Sequence, residues 1–407
     1  MQESTTDIAI LGGGMVGMSL AYQLKERHPD LSITLIDKEL EIGRHSSGRN
    51  SGVLHAGIYY PPGTLKAQVC VQGAKRLRAW CEAEDLPVLS CGKVIAPQAA
   101  ELDGQLDLLL ERGRANGAEV RLIDEHEFYQ RVPDGRMATG RALWSPNTCV
   151  VKPKLVLQRL EQRLREQGVR FLLGSPLSEV KPEAQIVSLA QGGFTRKLAY
   201  GHLFNTAGLQ ADRVARSFGV GEGRTLLPFK GLYWQLAPTA PFSFKTNLYP
   251  VPDLNVPFLG VHVTPSPDGS VSLGPTAIPA WGRENYRGLD GIEPGMALEF
   301  LGDLASQWWS NAGGFRRYAR EQALHGLKPL FLKAAQALVP GLRSEHLIPS
   351  QKVGIRAQLY DRRSGTLVQD FCLEQGPHST HVLNAISPAF TASFALADLI
   401  IDQSPIS

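Results

Sequence analysis

The sequence predicts an α/β protein with two domains, one built around a parallel sheet and the other rich in β-strands. The chain has 407 residues, which is enough for two or three domains and a sizeable buried core. Its first 37 residues read as strand, glycine-rich turn, helix and strand, the order of a βαβ unit. Further along, 11 of the 27 prolines fall between residues 228 and 294, which excludes long helices there.

Composition and charge exclude several classes of protein. Hydrophobic residues make up 43% and charged residues 20% of the chain, as in ordinary globular proteins. The formal net charge is +3 without a dense basic run, so we do not expect nucleic-acid binding. The five cysteines lack CxxC spacing, which predicts neither a zinc ribbon nor a disulfide framework. The first residues are acidic and glycines interrupt the apolar stretch 8–24, so we expect a cytoplasmic protein.

The first βαβ unit carries a dinucleotide-binding pattern. Glycines at the turn allow close approach of the backbone to a pyrophosphate, and the following helix presents free N–H groups to it. An acidic residue 20 positions after the last glycine suits hydrogen bonds from ribose hydroxyls. The parts of the pattern are a strand over 7–11, Gly12, Gly14 and Gly17, a helix over 15–27, a strand over 32–36, and Asp37.

The remaining elements follow from hydrophobic periodicity and turn residues. Helices are predicted over 102–116, 155–167, 296–309, 316–338 and 391–401, and strands over 231–237, 258–264, 270–274 and 380–386. The simplest organisation is a nucleotide-binding domain made of separated segments, with the β-rich domain inserted between them. The predicted fold is therefore a Rossmann-like domain over 1–88, 150–226 and 350–407, and an α+β substrate-binding domain over 89–149 and 227–349.

A second glycine-rich run distinguishes between two cofactors. Residues 43–57 are rich in glycine and serine and come directly after the second strand. NAD-binding proteins rarely need such a run at this place, whereas the larger FAD has an extra ring system that it can enclose. The sequence therefore favours FAD.

Nine further segments, which keep their order along nearly the whole chain, carry a resemblance to a known family. They are 49–60, 65–67, 70–73, 228–231, 249–252, 257–264, 273–275, 354–358 and 387–391. Together they resemble FAD-dependent oxidoreductases of the D-amino-acid oxidase/glycine oxidase type, and more narrowly L-2-hydroxyglutarate dehydrogenases and oxidases. At 149–153 relatives have a Gly-Ile-Val-Asp-Tyr-like run, whereas this chain places Lys152 where they have an acid.

The resemblance implies a set of positions that hold FAD. The turn 387–391 is expected to present the last helix to the N1/C2=O edge of the flavin, where negative charge develops on reduction. Val180 is expected to meet adenine through its backbone, and flavin attachment is expected to be non-covalent. The implied cofactor contacts are Gly12, Gly14, Met15, Val16, Gly17, Asp37, Lys38, Ser46, Ser47, Arg49, Asn50, Ser51, Gly52, Val180, Ala207, Gly208, Gly354, Arg356, Ser387, Pro388, Ala389, Phe390 and Thr391.

Oxidation of a hydroxy acid needs a base and cations. The base takes the hydroxyl proton while the carbon-bound hydrogen leaves as hydride to flavin N5, and an imidazole titrates near working pH. His55 and His262 are the candidate bases. The candidate substrate-binding residues, cations for carboxylates and then hydroxyl donors, are Lys230, Arg356, Lys66, Arg283, Tyr60 and Tyr249.

The sequence thus predicts an FAD-dependent enzyme that oxidises an L-2-hydroxy acid, with L-2-hydroxyglutarate as the first choice of substrate. An amino-acid or amine oxidase of the same fold, and a non-catalytic or tRNA-modifying FAD module, are the alternatives. The electron acceptor stays open between oxygen and a membrane quinone. The stretch 324–338 is interpreted as a domain-packing helix, with peripheral contact to the inner face of a membrane as the alternative.

Overall fold

The computed structural model of the chain describes residues 3–252, 259–311, 316, 319 and 326–406. The described helices are α1 Met15–Arg27, α2 Leu65–Ala83, α3 Asp103–Ala115, α4 Glu125–Arg131, α5 Pro153–Glu166, α6 Ala211–Ser217, α7 Pro294–Ser310, α8 Lys328–Gln336 and α9 Ser393–Asp402. The strands are β1 Glu3–Leu11, β2 Ile33–Ile36, β3 Val53–Leu54, β4 Val88–Leu89, β5 Lys93–Ala96, β6 Arg121–Asp124, β7 Arg141–Ser145, β8 Cys149–Val151, β9 Arg170–Leu172, β10 Leu177–Lys181, β11 Ile186–Gln191, β12 Phe194–Asn205, β13 Arg224–Leu236, β14 Asn247–Pro250, β15 His262–Pro265, β16 Val271–Gly274, β17 Ile278–Pro279, β18 Leu347–Asp361, β19 Thr366–Leu367, β20 Cys372–Gly376 and β21 Ser379–Asn384.

An eight-stranded sheet contains the parallel core. Its order is β10-β11-β12-β1-β2-β9, and β21 and β20 continue from β12. The central strand β1 is parallel to both β12 and β2, as expected for a βαβ unit. Helices α1, α2, α5 and α9 contribute to the core on one side, and α6 to the core on the other. Burial on both faces agrees with β2, all four residues of which are buried.

A ten-stranded sheet forms the second layer of the molecule. Its order is β19-β18-β13-β16-β15-β14-β5-β7-β6, and β17 pairs with β13. The antiparallel pair β13–β18 is its longest connection, running from Arg224↔Asp361 to Leu236↔Leu347 with one irregularity. A small sheet β3-β8-β4 completes the strands of the described residues.

The structure confirms the predicted βαβ unit and most helices to within a few residues. The predicted strand over 231–237 is the second half of the longer β13, and the strand over 258–264 is shortened to β15, with residue 258 outside the described part. Of the helix predicted over 316–338, the structure describes residues 316, 319 and 326–338; α8 covers only Lys328–Gln336, and a turn at 326–327 precedes it. The domain limits stay a prediction; the one at residue 350 falls inside β18, whose partners β13 and β19 belong to the ten-stranded sheet.

Helix α8 packs into the ten-stranded domain. Phe331 and Ala335 are buried in a core shared with Leu248 and Val263. This burial favours the domain-packing interpretation of the stretch, because the same apolar side is not free to enter a lipid surface. None of the helices in the described ranges combines the length and apolar character of a membrane span.

Candidate active site

A long cavity lies between the two large sheets. Its empty volume is about 1700 Å³, with the open solvent at its mouth included. The walls come from the β1–α1 turn, the loop after β2, the β12–α6 turn, strands β13, β15 and β18, and the turn before α9. Segments from both ends of the chain therefore enclose one site.

The glycine motif forms one end of this cavity as the sequence predicts. Gly12 has φ +117°, and a Cβ there would lie 2.8 Å from the carbonyl carbon of Thr206. Gly17 does not line the cavity; a side chain there would meet Thr206 Oγ1 at 2.6 Å, so the glycine lets α1 approach β1. Gly14, Met15 and Val16 bring the positive end of α1 to the cavity wall.

Asp37 lies at the same end and is held by backbone donors. Its carboxylate accepts N–H bonds from Gly13 at 2.7 Å and from Glu39 at 2.8 Å. Burial raises the pKa of this carboxyl, and the two N–H bonds act in the opposite direction. Lys38 lines the cavity beside it and forms an ion pair with Glu284 at 2.8 Å. A fixed acceptor at this distance from the glycine turn fits the ribose of a dinucleotide.

The loop after β2 crosses from this end towards the ten-stranded sheet. Ser47 Oγ accepts the N–H of Met15 at 2.9 Å, and Ser46 Oγ donates to the Ile355 carbonyl at 2.8 Å. The Arg49 guanidinium lies 4.1 Å from the centre of the Tyr286 ring. Further predicted cofactor contacts on this cavity wall are Asn50, Ser51, Ala207, Gly208, Gly354 and Arg356.

The turn before α9 closes the cavity and positions one of the two histidines. Thr391 Oγ1 donates to the Val53 carbonyl at 3.1 Å and accepts the N–H of His55 at 3.2 Å. The predicted residues of this turn that line the cavity are Ser387, Pro388, Ala389, Phe390 and Thr391. The C-terminal segment and the glycine-rich loop are thus tied together at His55.

Both predicted histidines face the same cavity. His262 is buried, and its Nδ1 donates to the Gly260 carbonyl at 3.0 Å, because a carbonyl only accepts. In the neutral ring this leaves Nε2 with a lone pair. Burial, with the charges of Arg356 and Lys93, lowers the pKa of His262 to about 3 and that of His55 well below its usual value. Both rings are therefore neutral at neutral pH, and the same burial makes each of them a weaker base than free imidazole.

The predicted carboxylate-binding cations separate into two groups. Arg356 lines the cavity from β18. Lys230 does not line it; its Nζ donates to Asn285 Oδ1 at 2.9 Å, because its side chain lies on the other side of β13 from the cavity-lining Gly231. Arg283 is a correction to the sequence prediction: it is 2% exposed and paired with Asp212 at 2.5 and 2.8 Å, so its charge is already neutralised inside the protein.

Three further predicted substrate residues lie behind the cavity wall. Tyr249 is 0% exposed and stacks on the His262 ring, with 3.9 Å between ring centres. Tyr60 borders the turn before α9 through its hydroxyl contact with Ser387, and burial raises its pKa well above the usual value. Lys66 is 5% exposed, its Nζ lies 5.7 Å from the Tyr60 ring centre, and burial lowers its pKa to about 8. None of the three belongs to the cavity-lining residues of the described chain.

Three other residues singled out in the sequence lie outside the cavity lining of the described chain. The Val180 side chain packs on the core of the eight-stranded sheet, and its backbone contact with adenine stays a prediction. Gly52 has φ +79° and lies against β8, where a side chain would come within 3.1 Å of Pro153. Lys152, which departs from the family pattern, forms an ion pair with Asp268 and is not among the residues that line the cavity.

The sequence reasoning missed Tyr233 and Gly231 on β13 and Leu259 before β15, all of which line the cavity. It also missed Lys93, which is 0% exposed and whose charge acts on both histidines. A signal for Lys93 was available, because a lysine that opens the apolar run Lys93–Ala96 is expected to be buried with its strand.

Comparison with known proteins agrees with this geometry. Residues 7–403 match the family described as DAO, FAD dependent oxidoreductase. The mitochondrial L-2-hydroxyglutarate dehydrogenase of Caenorhabditis elegans is 35% identical over 98% of this chain and 93% of its own. The human protein of the same name is 33% identical, with 98% and 89% covered.

Solved structures show the same fold at lower sequence identity. An L-alpha-glycerophosphate oxidase from Mycoplasma pneumoniae with FAD bound superposes with a TM-score of 0.75 at 20% identity, covering 98% of this chain and 94% of its own. A glycine oxidase from Geobacillus kaustophilus gives 0.71 at 17% identity, covering 99% and 98%. This chain therefore belongs to the DAO family of FAD-dependent oxidoreductases.

Proposed function

We propose that the protein oxidises L-2-hydroxyglutarate to 2-oxoglutarate with FAD as its cofactor. Two kinds of observation support this substrate. Full-length relatives at 33–35% identity are named for it. The observation that carries the chemistry is the neutral His262, whose Nδ1 is fixed by Gly260 and whose Nε2 is left to accept a proton in the cofactor cavity.

The residues of the cavity fit FAD. At one end, the Gly12 turn has no room for a Cβ, the start of α1 suits a pyrophosphate, and Asp37 suits a ribose. At the other end, the turn before α9 lies beside the histidines. We propose that these two ends hold the adenosine diphosphate and the flavin, respectively. Bound FAD would supply a two-electron acceptor at flavin N5 for the hydride that leaves C2 of the substrate.

The chain's own residues handle the proton. We propose that a base of the His55–His262 pair takes the hydroxyl proton, with Nε2 of His262 as the acceptor that the tautomer favours. The bonding electrons of that O–H then form the C=O bond as the C2–H pair departs, so the product is the 2-oxo acid. The depressed pKa of His262 keeps the acceptor neutral before the reaction. Nearby Arg356 binds the carboxylate next to the hydroxyl, as a guanidinium binds carboxylates in two parallel hydrogen bonds.

The first experiment mixes the purified holoenzyme with L-2-hydroxyglutarate without oxygen and follows the visible flavin band. Fast bleaching by the L enantiomer and none by the D enantiomer is the expected result. A yellow protein that bleaches only with amino acids, and then releases hydrogen peroxide in air, would support the amine-oxidase alternative. The same assay with oxygen or a soluble quinone identifies the electron acceptor, which is a prediction at this point.

Histidine variants test the proton step. His262→Ala and His55→Ala are each expected to slow flavin reduction by roughly 10²- to 10⁴-fold, the usual contribution of a general base. Flavin content should stay near that of the wild type. His126→Ala is the matched control, because that histidine is exposed and bonded to Gln130 away from the cavity. Wild-type reduction rates in both cavity variants would remove the pair from the mechanism.

A further inference from the structure

Lys93 is a buried cation that the proposed mechanism leaves without a role. It opens β5 and is 0% exposed. Its Nζ lies 4.7 Å from the Tyr59 ring centre and 5.2 Å from that of Tyr249. Within the described part of the chain, this ammonium makes no hydrogen bond and no ion pair. A buried charge of this kind is costly unless an anion compensates it.

The polar atoms around Lys93 are unpaired as well. The hydroxyl of Tyr59 and Nδ1 of His55 are buried without a hydrogen-bond partner among the described residues, and the Tyr249 hydroxyl has only the equally buried Thr264 hydroxyl beside it. Native proteins pair the great majority of such atoms, so a group of four in one neighbourhood needs an explanation. All four can donate a hydrogen bond, and a set of donors around an ammonium suits an anion.

Strand register connects this group to the reaction site. Asn247 pairs with Lys93 across β14–β5, and Leu248 pairs with Val263 across β14–β15. Tyr249 is therefore the cross-strand neighbour of His262, and their rings stack. Lys93 Nζ and the His262 imidazole thus contact the same tyrosine ring. The Lys93 charge also lies close enough to both cavity histidines to lower their pKa values.

The length of a five-carbon dicarboxylate allows one molecule to contact two cationic groups. Four C–C bonds of ~1.5 Å separate its two carboxyl carbons, so the second carboxylate extends beyond the group that binds the first. Arg356 accounts for the carboxylate beside the hydroxyl, which leaves the remote one without a partner. Burial lowers the pKa of Lys93 to about 8, so the amine is mostly protonated at neutral pH.

We propose that Lys93, with the hydroxyls of Tyr59 and Tyr249, binds the remote carboxylate of the substrate, and that this makes the enzyme select dicarboxylates over monocarboxylates. These three side chains lie behind the part of the cavity wall that His262 lines, so the carboxylate reaches them only when the wall opens at the stacked rings of His262 and Tyr249. This inference rests on the proposed function, since it deepens the substrate assignment of the same site. The proposal also explains why the apolar strand β5 begins with a lysine, since the charge then serves to bind the ligand and not to stabilise the fold.

The test is equilibrium binding of two non-reactive probes to the holoenzyme, followed by the change in its visible flavin spectrum. Glutarate carries both carboxylates and pentanoate carries one. Lys93→Met is expected to raise the Kd of glutarate roughly 10- to 150-fold, the range of a hydrogen bond to a charged group, and to leave that of pentanoate within a factor of about two. Lys328→Met is the matched control: this lysine also lies over an aromatic ring, 5.0 Å from the centre of Trp234, but it is not among the charges that lower the pKa values of the two cavity histidines.

An equal loss for both probes, or an unchanged preference for glutarate, would overturn the proposal. Thermal unfolding distinguishes substrate binding from a structural role of Lys93. If the charge does not stabilise the fold, the melting temperature of Lys93→Met should equal or exceed that of the wild type, because an uncompensated buried charge has been removed. A lower melting temperature together with lost flavin would assign Lys93 to the fold; Lys93→Gln then repeats the probe titration in a folded protein. A wild type that prefers glutarate through Lys93 but does not oxidise L-2-hydroxyglutarate would refute the proposed function alone.

Discussion

Replacing Gly17 by alanine is expected to lower both the stability of the protein and its affinity for FAD. The site is in the first turns of α1, where alanine is normally the better helix former by about 1 kcal/mol. Here an added Cβ would lie 2.6 Å from Thr206 Oγ1, 3.2 Å from Ile10 Cγ2 and closer still to the Gly12 carbonyl oxygen. Thr206 cannot yield easily, because its hydroxyl donates to the Leu11 carbonyl at 3.0 Å.

The change in the free energy of unfolding is the difference between the cost of the clash and the gain in helix propensity. Overpacking of a tight contact costs about 1–3 kcal/mol, and backbone neighbours place Gly17 at the upper end. After the gain in helix propensity, the free energy of unfolding should fall by about 2 kcal/mol. Relief of the clash moves α1 away from β1 and widens the Gly12 turn, so the Kd of FAD should rise as well.

Urea unfolding of the FAD-free protein and a fluorescence titration with FAD measure the two effects. Gly302→Ala is the matched control, since Gly302 lies within α7, is exposed, and a Cβ added there would meet no atom within 4 Å. That variant should be as stable as the wild type or more so, with the same Kd. A Gly17→Ala protein that matches the control in both measurements would refute the reasoning from close packing.

Two further predictions concern stability. Arg283→Met leaves Asp212, which is 1% exposed, without its main partner. The free energy of unfolding, measured in a denaturant titration, should therefore fall by about 3–5 kcal/mol. A loss below about 1 kcal/mol would contradict the pairing. Burial lowers the pKa of His202 and of His381 to about 4, so the unfolded chain binds more protons than the folded one between pH 4 and 6.5. Stability from these rings is therefore complete above pH 6.5 and lost as the pH falls towards 4, by at most ~3 kcal/mol each; urea midpoints that do not change between about pH 7 and pH 4.5 would disprove it.

Local features of the sequence predicted which early segments meet at one cavity. The G-x-G-x-x-G turn, Asp37 and the loop 46–51 lie close together in sequence, and the structure brings residues of all three to the cavity wall. The roles of the glycines also follow from sterics, as the packing at Gly17 confirms. These patterns are made by residues close together in sequence, so they can be recognised without knowledge of the tertiary structure.

The substrate side was harder to predict because its contacts are long-range. Arg283 is neutralised by Asp212, 71 positions earlier, and no local pattern indicates that pair. Which face of β13 Lys230 occupies depends on the register with β18, where Lys230 pairs with Ile355. Lys93 was missed for a related reason: its strand joins β14 and β7, and the cavity beyond becomes visible only when the sheet is assembled.

The distance in sequence between the segments that enclose the cavity has a consequence for biosynthesis. Thr391 ties the loop at His55 in place, and 336 positions separate these two residues. Domains form during translation from the N-terminal side onwards. The glycine-rich loop therefore leaves the ribosome long before the segment that closes the cavity beside it. The complete cavity for FAD forms only after Thr391 has been synthesised.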